Sequence, residues 1–296
     1  MTLFSGSGRA PLPAAHPDHD ELAALEADFL TAVGGEQLFQ EKLRGFFRSA
    51  IDEVIDTARS GRFFFKDLEK TEKTYLGTKF EILLRDWLQV PRGIILDLLI
   101  GGREVDVKST TVGSGWMIPP EAENQFCILL RVNELDAQCA VGLFRARPAY
   151  LTTGFNRDAK RSVAAAGRSN IWWMASDFPY TSNFWTFVSE VDRAALMKAG
   201  GGTKRVAMLF ERYQQVAVSR VQIIALAAQD DPMRRVRRGG GARDILAPKG
   251  IAILYSENDR DIMRALGLKF GYREFMSYRP KNGDEAALLR QANHID

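Results

Sequence analysis

Cysteine and histidine are scarce in this sequence, and their scarcity excludes several kinds of site. The 296 residues include only two cysteines, Cys127 and Cys139, so neither a disulfide framework nor a four-cysteine zinc site is expected. The three histidines are His16, His19 and His294, all near the ends of the chain. Serine–histidine catalysis, cysteine–histidine catalysis and a histidine-ligated metal nuclease are therefore not expected. Hydrolytic chemistry here would rely on carboxylates, lysine and a divalent metal ion.

Long hydrophobic runs are also missing. A membrane-spanning helix needs about 20 consecutive apolar residues. The longest candidate, residues 94–100, is interrupted by Asp97. Residues 1–30 contain no basic segment followed by an apolar one, so no secretory signal is expected. These absences predict a cytoplasmic protein that does not associate with a membrane.

The charge is small in total but unevenly distributed. The net charge is +3, with 17 basic against 11 acidic residues from position 200 onward, and 23 against 26 before it. A basic C-terminal third favours a polyanion as partner for that part of the chain, although random surface variation is the alternative. The case for a polyanion rests on five arginines within ten residues. They are Arg234, Arg235, Arg237, Arg238 and Arg243.

The length of the chain and the position of its turn-forming segments predict two domains. Residues 1–30, rich in proline, alanine, glycine and acids, are expected to form a flexible arm. Turn-forming residues cluster just beyond position 175 and predict a linker at 177–183. We therefore predict a first domain over residues 31–176 and a second over 184–296, with a poorly ordered tail after about residue 281.

Hydrophobic periodicity predicts helices and strands in both domains. In the first domain the expected helices are 36–60, 65–88 and a basic one at 156–166, and the expected strands are 94–100, 103–110, 126–132 and 140–146. In the second domain the expected helices are 187–198, 205–215 and 219–228, and the expected strands are 251–255 and 274–278. Helices that lead into a basic segment and a β-ribbon suggest a winged helix-turn-helix.

A two-glycine turn places two acids opposite each other. Gly101-Gly102 separates two strand-like runs, which is a hairpin signal. In the register of a two-residue loop Asp97 faces Asp106, and alternation puts Lys108 on the same face. Two opposed carboxylates repel unless a cation lies between them, so a divalent metal ion would explain the pair. The alternative is a solvent-facing hairpin neutralised by Lys108 and Arg103.

A polar stripe on the preceding helix supplies one further candidate, Glu81. It lies on the same helix face as Thr74, Gly77, Thr78 and Arg85. If this stripe borders the hairpin, Glu81 can contact the metal directly or through a water. Together the four residues could activate a water molecule and stabilise charge on a phosphate.

These residues resemble the NaeI-type restriction endonucleases. The resemblance begins with residues 70–78 and continues through Glu81, Asp97 and Asp106-Val107-Lys108. Further similar segments follow in the same order. They are residues 115–121, 156–161, 229–237, 240–246 and 248–254. The first acid lacks the proline of the general PD-(D/E)xK signature, and neither the N-terminal arm nor the chain beyond about residue 269 matches well.

The resemblance implies a fold and an activity. The fold would be an α/β (α+β) two-domain protein, in which a restriction-endonuclease-like mixed sheet flanked by helices precedes a mainly helical, winged helix-turn-helix domain similar to that of the catabolite activator. The metal-binding acids would be Asp97 and Asp106, the catalytic lysine Lys108 and the helical acid Glu81. The activity would be Mg²⁺-dependent hydrolysis of both strands of a specific, palindromic duplex by a homodimer. A second copy of the DNA, bound by the winged-helix domain, would act as activator.

Candidate DNA contacts lie in both domains. Arginine pairs with guanine edges and phosphates, so the five arginines at 234–243 are the candidates in the second domain. In the first domain the candidate contacts either follow the strand that carries Asp106 and Lys108 or add positive charge. They are Ser109, Thr110, Trp116, Lys160 and Arg161. Trp116 could equally be a core residue, and the arginines could form a solvated basic loop.

Two other functions remain open from the sequence. One is a nicking, repair or modification-dependent DNA nuclease of the same fold. The other is a winged-helix DNA-binding protein that does not cleave.

Overall fold

The computed structural model describes residues 8–111, 113, 115–228 and 231–296. Gln229 and Asp230, which begin one of the similar segments, lie outside the described residues. The chain divides into two compact units, each built from two stretches of sequence. Unit 1 comprises residues 1–40 and 73–180, and unit 2 comprises residues 41–72 and 181–296.

Helices and strands occur in both units. The helices are α1 (His19–Val33), α2 (Glu36–Ile55), α3 (Thr57–Ser60), α4 (Lys70–Leu88), α5 (Glu190–Lys198), α6 (Gly202–Arg212), α7 (Arg220–Ala227), α8 (Ala242–Leu246), α9 (Arg260–Ala265) and α10 (Gly283–Gln291). The strands are β1 (Leu98–Ile100), β2 (Arg103–Thr110), β3 (Met117–Ile118), β4 (Phe126–Asn133), β5 (Gln138–Arg145), β6 (Arg161–Ser162), β7 (Trp172–Pro179), β8 (Val218–Ser219), β9 (Ala252–Tyr255) and β10 (Glu274–Tyr278).

Unit 1 is organised around a mixed five-stranded sheet of order β1-β2-β4-β5-β7. Only the β2–β4 pair is parallel, and the other neighbours are antiparallel. The central strand β4 is buried along almost its whole length, as expected for a strand covered on both faces. One face is covered by a core that includes Trp116, Cys127 and Phe144. Cys127 and Cys139 are both buried thiols.

The predicted hairpin is confirmed with its register. Leu98 pairs with Val105, Leu99 with Glu104 and Ile100 with Arg103. Both turn glycines have positive φ, which favours glycine. The first strand is shorter than predicted, beginning at Leu98 instead of at residue 94.

The expectation of a flexible arm over residues 1–30 is wrong for residues 8–30. Helix α1 buries Leu22, Leu25 and Phe29 in unit 1. Asp18, fully buried, accepts a hydrogen bond from Arg147 Nε at 2.6 Å. The prediction rested on composition alone, whereas the spacing of Leu22, Leu25 and Phe29 is typical of a helix.

The predicted basic helix at 156–166 is absent. Asn156 Oδ1 accepts hydrogen bonds from the backbone N–H groups of Asp158 and Lys160, both at 2.9 Å. Ala159 has a φ of 58°, which is incompatible with a right-handed helix. The asparagine side chain thus closes a turn, and the chain continues into β6.

Unit 2 combines helices with a three-stranded sheet of order β8-β10-β9. Its main core includes Phe184, Trp185, Phe210 and Ile253. The predicted strand pair near 251–255 and 274–278 is present as the antiparallel β9–β10 pair. The three predicted helices of this region correspond to α5, α6 and α7, with shifted ends.

Two further expectations about the second domain need correction. The tail after residue 281 is ordered, since α10 buries Leu289 and the chain beyond it buries Ile295. Residues 41–72, assigned by prediction to the first domain, belong to unit 2. The later boundary lies between Tyr180 and Thr181, within the predicted linker. Across the described ranges, no helix has both the length and the hydrophobicity that crossing a membrane requires.

Candidate active site

The hairpin brings three of the predicted site residues together. Lys108 Nζ lies 2.8 Å from Asp106 Oδ1 and 3.9 Å from Asp97 Oδ2, and it donates a hydrogen bond to the carbonyl oxygen of Val107 at 3.0 Å. Asp97 Oδ2 accepts a hydrogen bond from the backbone N–H of Val107 at 2.8 Å. The lysine therefore lies between the two carboxylates, as the hairpin register predicts.

Glu104 holds the segment that carries Asp97. Its carboxylate accepts hydrogen bonds from the backbone N–H groups of Ile94 (2.7 Å), Ile95 (3.3 Å) and Leu96 (2.8 Å). These three bonds lower the pKa of Glu104. They also occupy N–H groups near the start of the predicted strand, which explains why β1 is short. Glu104 is not among the residues predicted from the sequence, because its partners are backbone N–H groups and residue type alone does not reveal such a role.

Asp106 is the buried member of the carboxylate pair. Its side chain is 5% exposed, against 28% for Asp97. Burial raises the pKa of Asp106 to about 6, and the charge of Asp97 contributes while Lys108 opposes the shift. Asp106 Oδ2 is buried and has no hydrogen-bond partner. A buried carboxylate oxygen without a partner is costly, and a bound cation is one way to satisfy it.

Glu81 is the fourth predicted residue, and it lies within electrostatic range of the other three. Burial raises the pKa of Glu81 to about 7, and the negative charges of Asp97 and Asp106 add to the shift. Among the described residues, no three acidic, histidine or cysteine side chains are close enough to hold one ion. The ligands that the arrangement offers are therefore the two aspartates, with Glu81 as a neighbouring carboxyl.

Helix α4 approaches β2 closely at a glycine. A Cβ atom at Gly77 would lie 3.2 Å from Ser109 Oγ, a tight contact. Gly77 precedes Glu81 by one helical turn, so the missing side chain lets this part of α4 approach β2. Ser109 therefore packs towards α4, while Thr110 continues the alternation of Asp106 and Lys108.

Of the two roles left open for Trp116, DNA contact and core packing, the structure supports core packing and not DNA contact. Its side chain is 1% exposed, and its Nε1 donates a hydrogen bond to the carbonyl oxygen of Leu130 at 2.8 Å. It is a core residue. The guanidinium of Arg161 is also committed, since it donates hydrogen bonds to the carbonyl oxygens of Thr152 and Pro148 and to Glu123. Lys160 is half-buried.

The five arginines of residues 234–243, in unit 2, differ in how far their side chains are exposed to solvent. Arg234, Arg237 and Arg238 are exposed, and Arg235 is half-buried. Arg243, on α8, is mostly buried and lies 3.7 Å from Asp259. Arg238 donates two hydrogen bonds to the carbonyl oxygen of Asn293. The exposed arginines are therefore better placed for an anionic partner than Arg243.

Two carboxylates and a lysine on one hairpin form the kind of site with which metal-dependent nucleases cleave phosphodiester bonds. Comparisons with known proteins agree with this class. The family model described as restriction endonuclease NaeI matches residues 39–287. The type II restriction enzyme NaeI of Lentzea aerocolonigenes is 35% identical over 268 residues, covering 87% of this chain and 82% of that enzyme. The chain therefore belongs to the NaeI restriction endonuclease family.

Proposed function

We propose that the protein is a type II restriction endonuclease that hydrolyses both strands of a specific DNA duplex with the help of a divalent metal ion. The observation that carries the proposal is the Asp97–Lys108–Asp106 cluster on the hairpin of a chain from this family. Unit 1 would contain the catalytic site. We further propose a palindromic target and a homodimer, because cutting both strands of a palindrome suits two-fold symmetry.

The residues present fit a hard divalent cation such as Mg²⁺. Asp97 and Asp106 offer oxygen ligands, and the unpartnered Oδ2 of Asp106 is a free position for one. Bound there, the cation would supply positive charge to the scissile phosphate and lower the pKa of a water molecule. Glu81, whose pKa of about 7 lies close to neutrality, could accept a proton through a water.

Lys108 has two tasks in this proposal. Without substrate it neutralises the aspartate pair, and its pKa stays above the ordinary value because Asp106, Asp97 and Glu81 outweigh the effect of burial. It is therefore protonated at neutral pH. With DNA bound, the ammonium group would stabilise the negative charge that develops on the phosphate, or orient the attacking water. Glu104 would keep Asp97 in place during these steps.

Unit 2 would bind DNA as a winged helix-turn-helix. Its order is α6, β8, α7, α8, β9 and β10, and β10 lies between β8 and β9. Helices followed by an antiparallel ribbon in this order are typical of winged helices. The exposed Arg234, Arg237 and Arg238 precede the short α8, which would be the recognition helix in this order. This unit would bind a second copy of the DNA as activator.

A plasmid digest tests the proposal. The purified protein is incubated with unmodified plasmid with and without Mg²⁺, and the fragment ends are sequenced. We expect Mg²⁺-dependent fragments with a shared end sequence. Lys108→Ala should reduce cleavage by about 10²–10³-fold. Arg103→Ala, on the same strand but paired with Asp28, is the matched control and should cut normally. Cleavage that survives Lys108→Ala would refute the site.

A further inference from the structure

A cavity lined mostly by residues with polar side chains opens near the C-terminal end of β2, in unit 1. Its volume is about 430 Å³, and Thr111, Arg131, Asn133, Gln138 and Asp177 are among its lining residues. Neither the proposed metal site nor the catalytic cluster uses these side chains. The proposed catalytic site therefore does not account for the polar residues of this cavity.

The pairing register places Arg131 on the catalytic face of the sheet. Across the parallel β2–β4 pair, Asp106 pairs with Cys127, Lys108 with Leu129 and Thr110 with Arg131. Paired residues project to the same face, and so do alternate residues of one strand. Arg131 thus lies one strand away from Lys108 and two residues further along, about 7 Å in the strand direction. Cys127 and Leu129 on this face are covered by the core, so a duplex bound at Lys108 would reach Arg131 by extending along β2 past Thr110.

Arg131 and Asp177 form an ion pair in the cavity. Arg131 Nη2 lies 2.8 Å from Asp177 Oδ1, and the two side chains are 29% and 68% exposed. The guanidinium lies 6.0 Å from the ring centroid of Trp173, which limits the directions it can take. An ion pair this exposed contributes little to stability. Its polar groups are accessible and held in place.

We infer that Arg131 and Asp177 of each protomer read one G·C base pair in each half of the palindromic substrate, an inference that rests on the proposed endonuclease function. Arginine donates two hydrogen bonds to O6 and N7 of guanine, and a carboxylate accepts one from the N4 amino group of cytosine. An arginine beside a carboxylate therefore matches the major-groove edge of a G·C pair. A phosphate is a poor ligand for the same cavity, because the carboxylate of Asp177 repels it.

The test compares cleavage of the cognate duplex with duplexes in which each base pair is replaced in turn. Arg131→Ala should cut the cognate site about ten- to a hundredfold more slowly and lose its preference at one G·C pair in each half of the palindrome. Arg131→Lys keeps the charge but not the bidentate geometry, so it should lose the same preference. Asp177→Asn should relax discrimination at that pair alone. The asparagine suits the φ of 48° found there.

Controls separate this inference from the proposed function. Arg103→Ala removes a different, partly exposed ion pair, which joins Arg103 to Asp28 at the other end of β2. This variant should keep both the cleavage rate and the preference for the G·C pair. If the wild-type protein cuts and the Arg131 variants keep its preference, the inference is wrong and the proposed function stands. A uniform loss over all sequences, with a weaker salt dependence, would indicate a phosphate contact and overturn base reading. A wild-type protein that cuts no duplex would refute the proposed function itself.

Discussion

At the scale of single residues, Asp106 is buried and one of its carboxylate oxygens has no hydrogen-bond partner. We expect these two properties to make metal binding depend on pH. The pKa of Asp106 is raised to about 6, and that of Glu81 to about 7. Both groups therefore take up protons as the pH falls from 8 to 5.5, and a proton on Asp106 would compete directly with the cation proposed to bind there. We expect the Mn²⁺ affinity to fall at least about fourfold over this range, as measured by electron paramagnetic resonance titration.

Asp106→Asn should bind Mn²⁺ weakly at every pH and show a flatter profile, because the competing proton is gone. An affinity of the wild-type protein that stays constant between pH 8 and 5.5 would contradict the role assigned to Asp106.

Glu104 leads to a second prediction at this scale. Glu104→Ala leaves the backbone N–H groups of residues 94–96 without their acceptor, so the segment that carries Asp97 should loosen. A displacement of about 1 Å in a catalytic group can cost about 10²-fold in rate. We expect cleavage to fall by about 10–10²-fold and metal affinity to weaken, with little change in melting temperature. Digest rates and metal titration measure these effects.

Glu104→Gln keeps one carbonyl oxygen as acceptor and should fall between the wild type and Glu104→Ala. Equal activity of all three proteins would show that Asp97 is held by its bond to Val107 alone.

The sequence predicted Asp97, Asp106 and Lys108 because their placement depends only on a two-residue turn and strand alternation, which are local rules. It left Trp116 undecided, because burial depends on strands distant in sequence. Glu104 was missed for a different reason. Its role is to bind backbone groups, and residue type alone does not reveal such a role.

At the scale of elements, helix α2 packs by means of a glycine. A Cβ atom at Gly45 would lie 2.3 Å from both the backbone N and the backbone O of Tyr272. Backbone cannot rotate away as a side chain can, so Gly45→Ala should force the two segments apart. We expect a loss of about 2 kcal/mol or more in the free energy of unfolding, although alanine favours helix. Thermal and urea denaturation measure it.

Gly200→Ala is the matched control in the same unit, because a Cβ atom there meets nothing within 4 Å. It should melt close to the wild-type temperature. If the two variants melt alike, the close contact of α2 with residue 272 is not a determinant of stability.

Elements with strong local signals were predicted well, and elements governed by side-chain capping were not. The long amphipathic α2 and α4 appear close to their predicted positions. The predicted helix at 156–166 failed because Asn156 binds the following backbone and closes a turn. Helix α10 was missed although Asn282 caps it through the N–H of Glu285, a signature readable in the sequence.

At the scale of the whole molecule, unit 2 depends on a stretch that lies far away in sequence. Asp52 accepts a hydrogen bond from Ser219 Oγ at 2.6 Å, and Phe63 packs edge-on against Trp185 at 4.8 Å. A fragment of residues 181–296 lacks these partners. We expect it to show no cooperative thermal transition by circular dichroism, whereas the same fragment tethered to residues 41–72 should show one.

A fragment of residues 181–296 that melts cooperatively at the temperature of the tethered form would contradict this.

The sequence predicted two domains but not their interleaving. Turn-rich segments mark where a chain changes direction, whereas both early unit boundaries lie inside helices, at residues 40/41 and 72/73.

The interleaving sets an order in which the protein can be made. Unit 1 is complete once residue 180 has left the ribosome, whereas residues 41–72 must wait for more than a hundred further residues before their partners in residues 181–296 begin to be synthesised. At about 5–20 residues per second, that wait lasts about 5–20 s. During this time the apolar face of α2 beyond residue 40 is exposed on the nascent chain, so a chaperone that binds nascent apolar segments would find its target there.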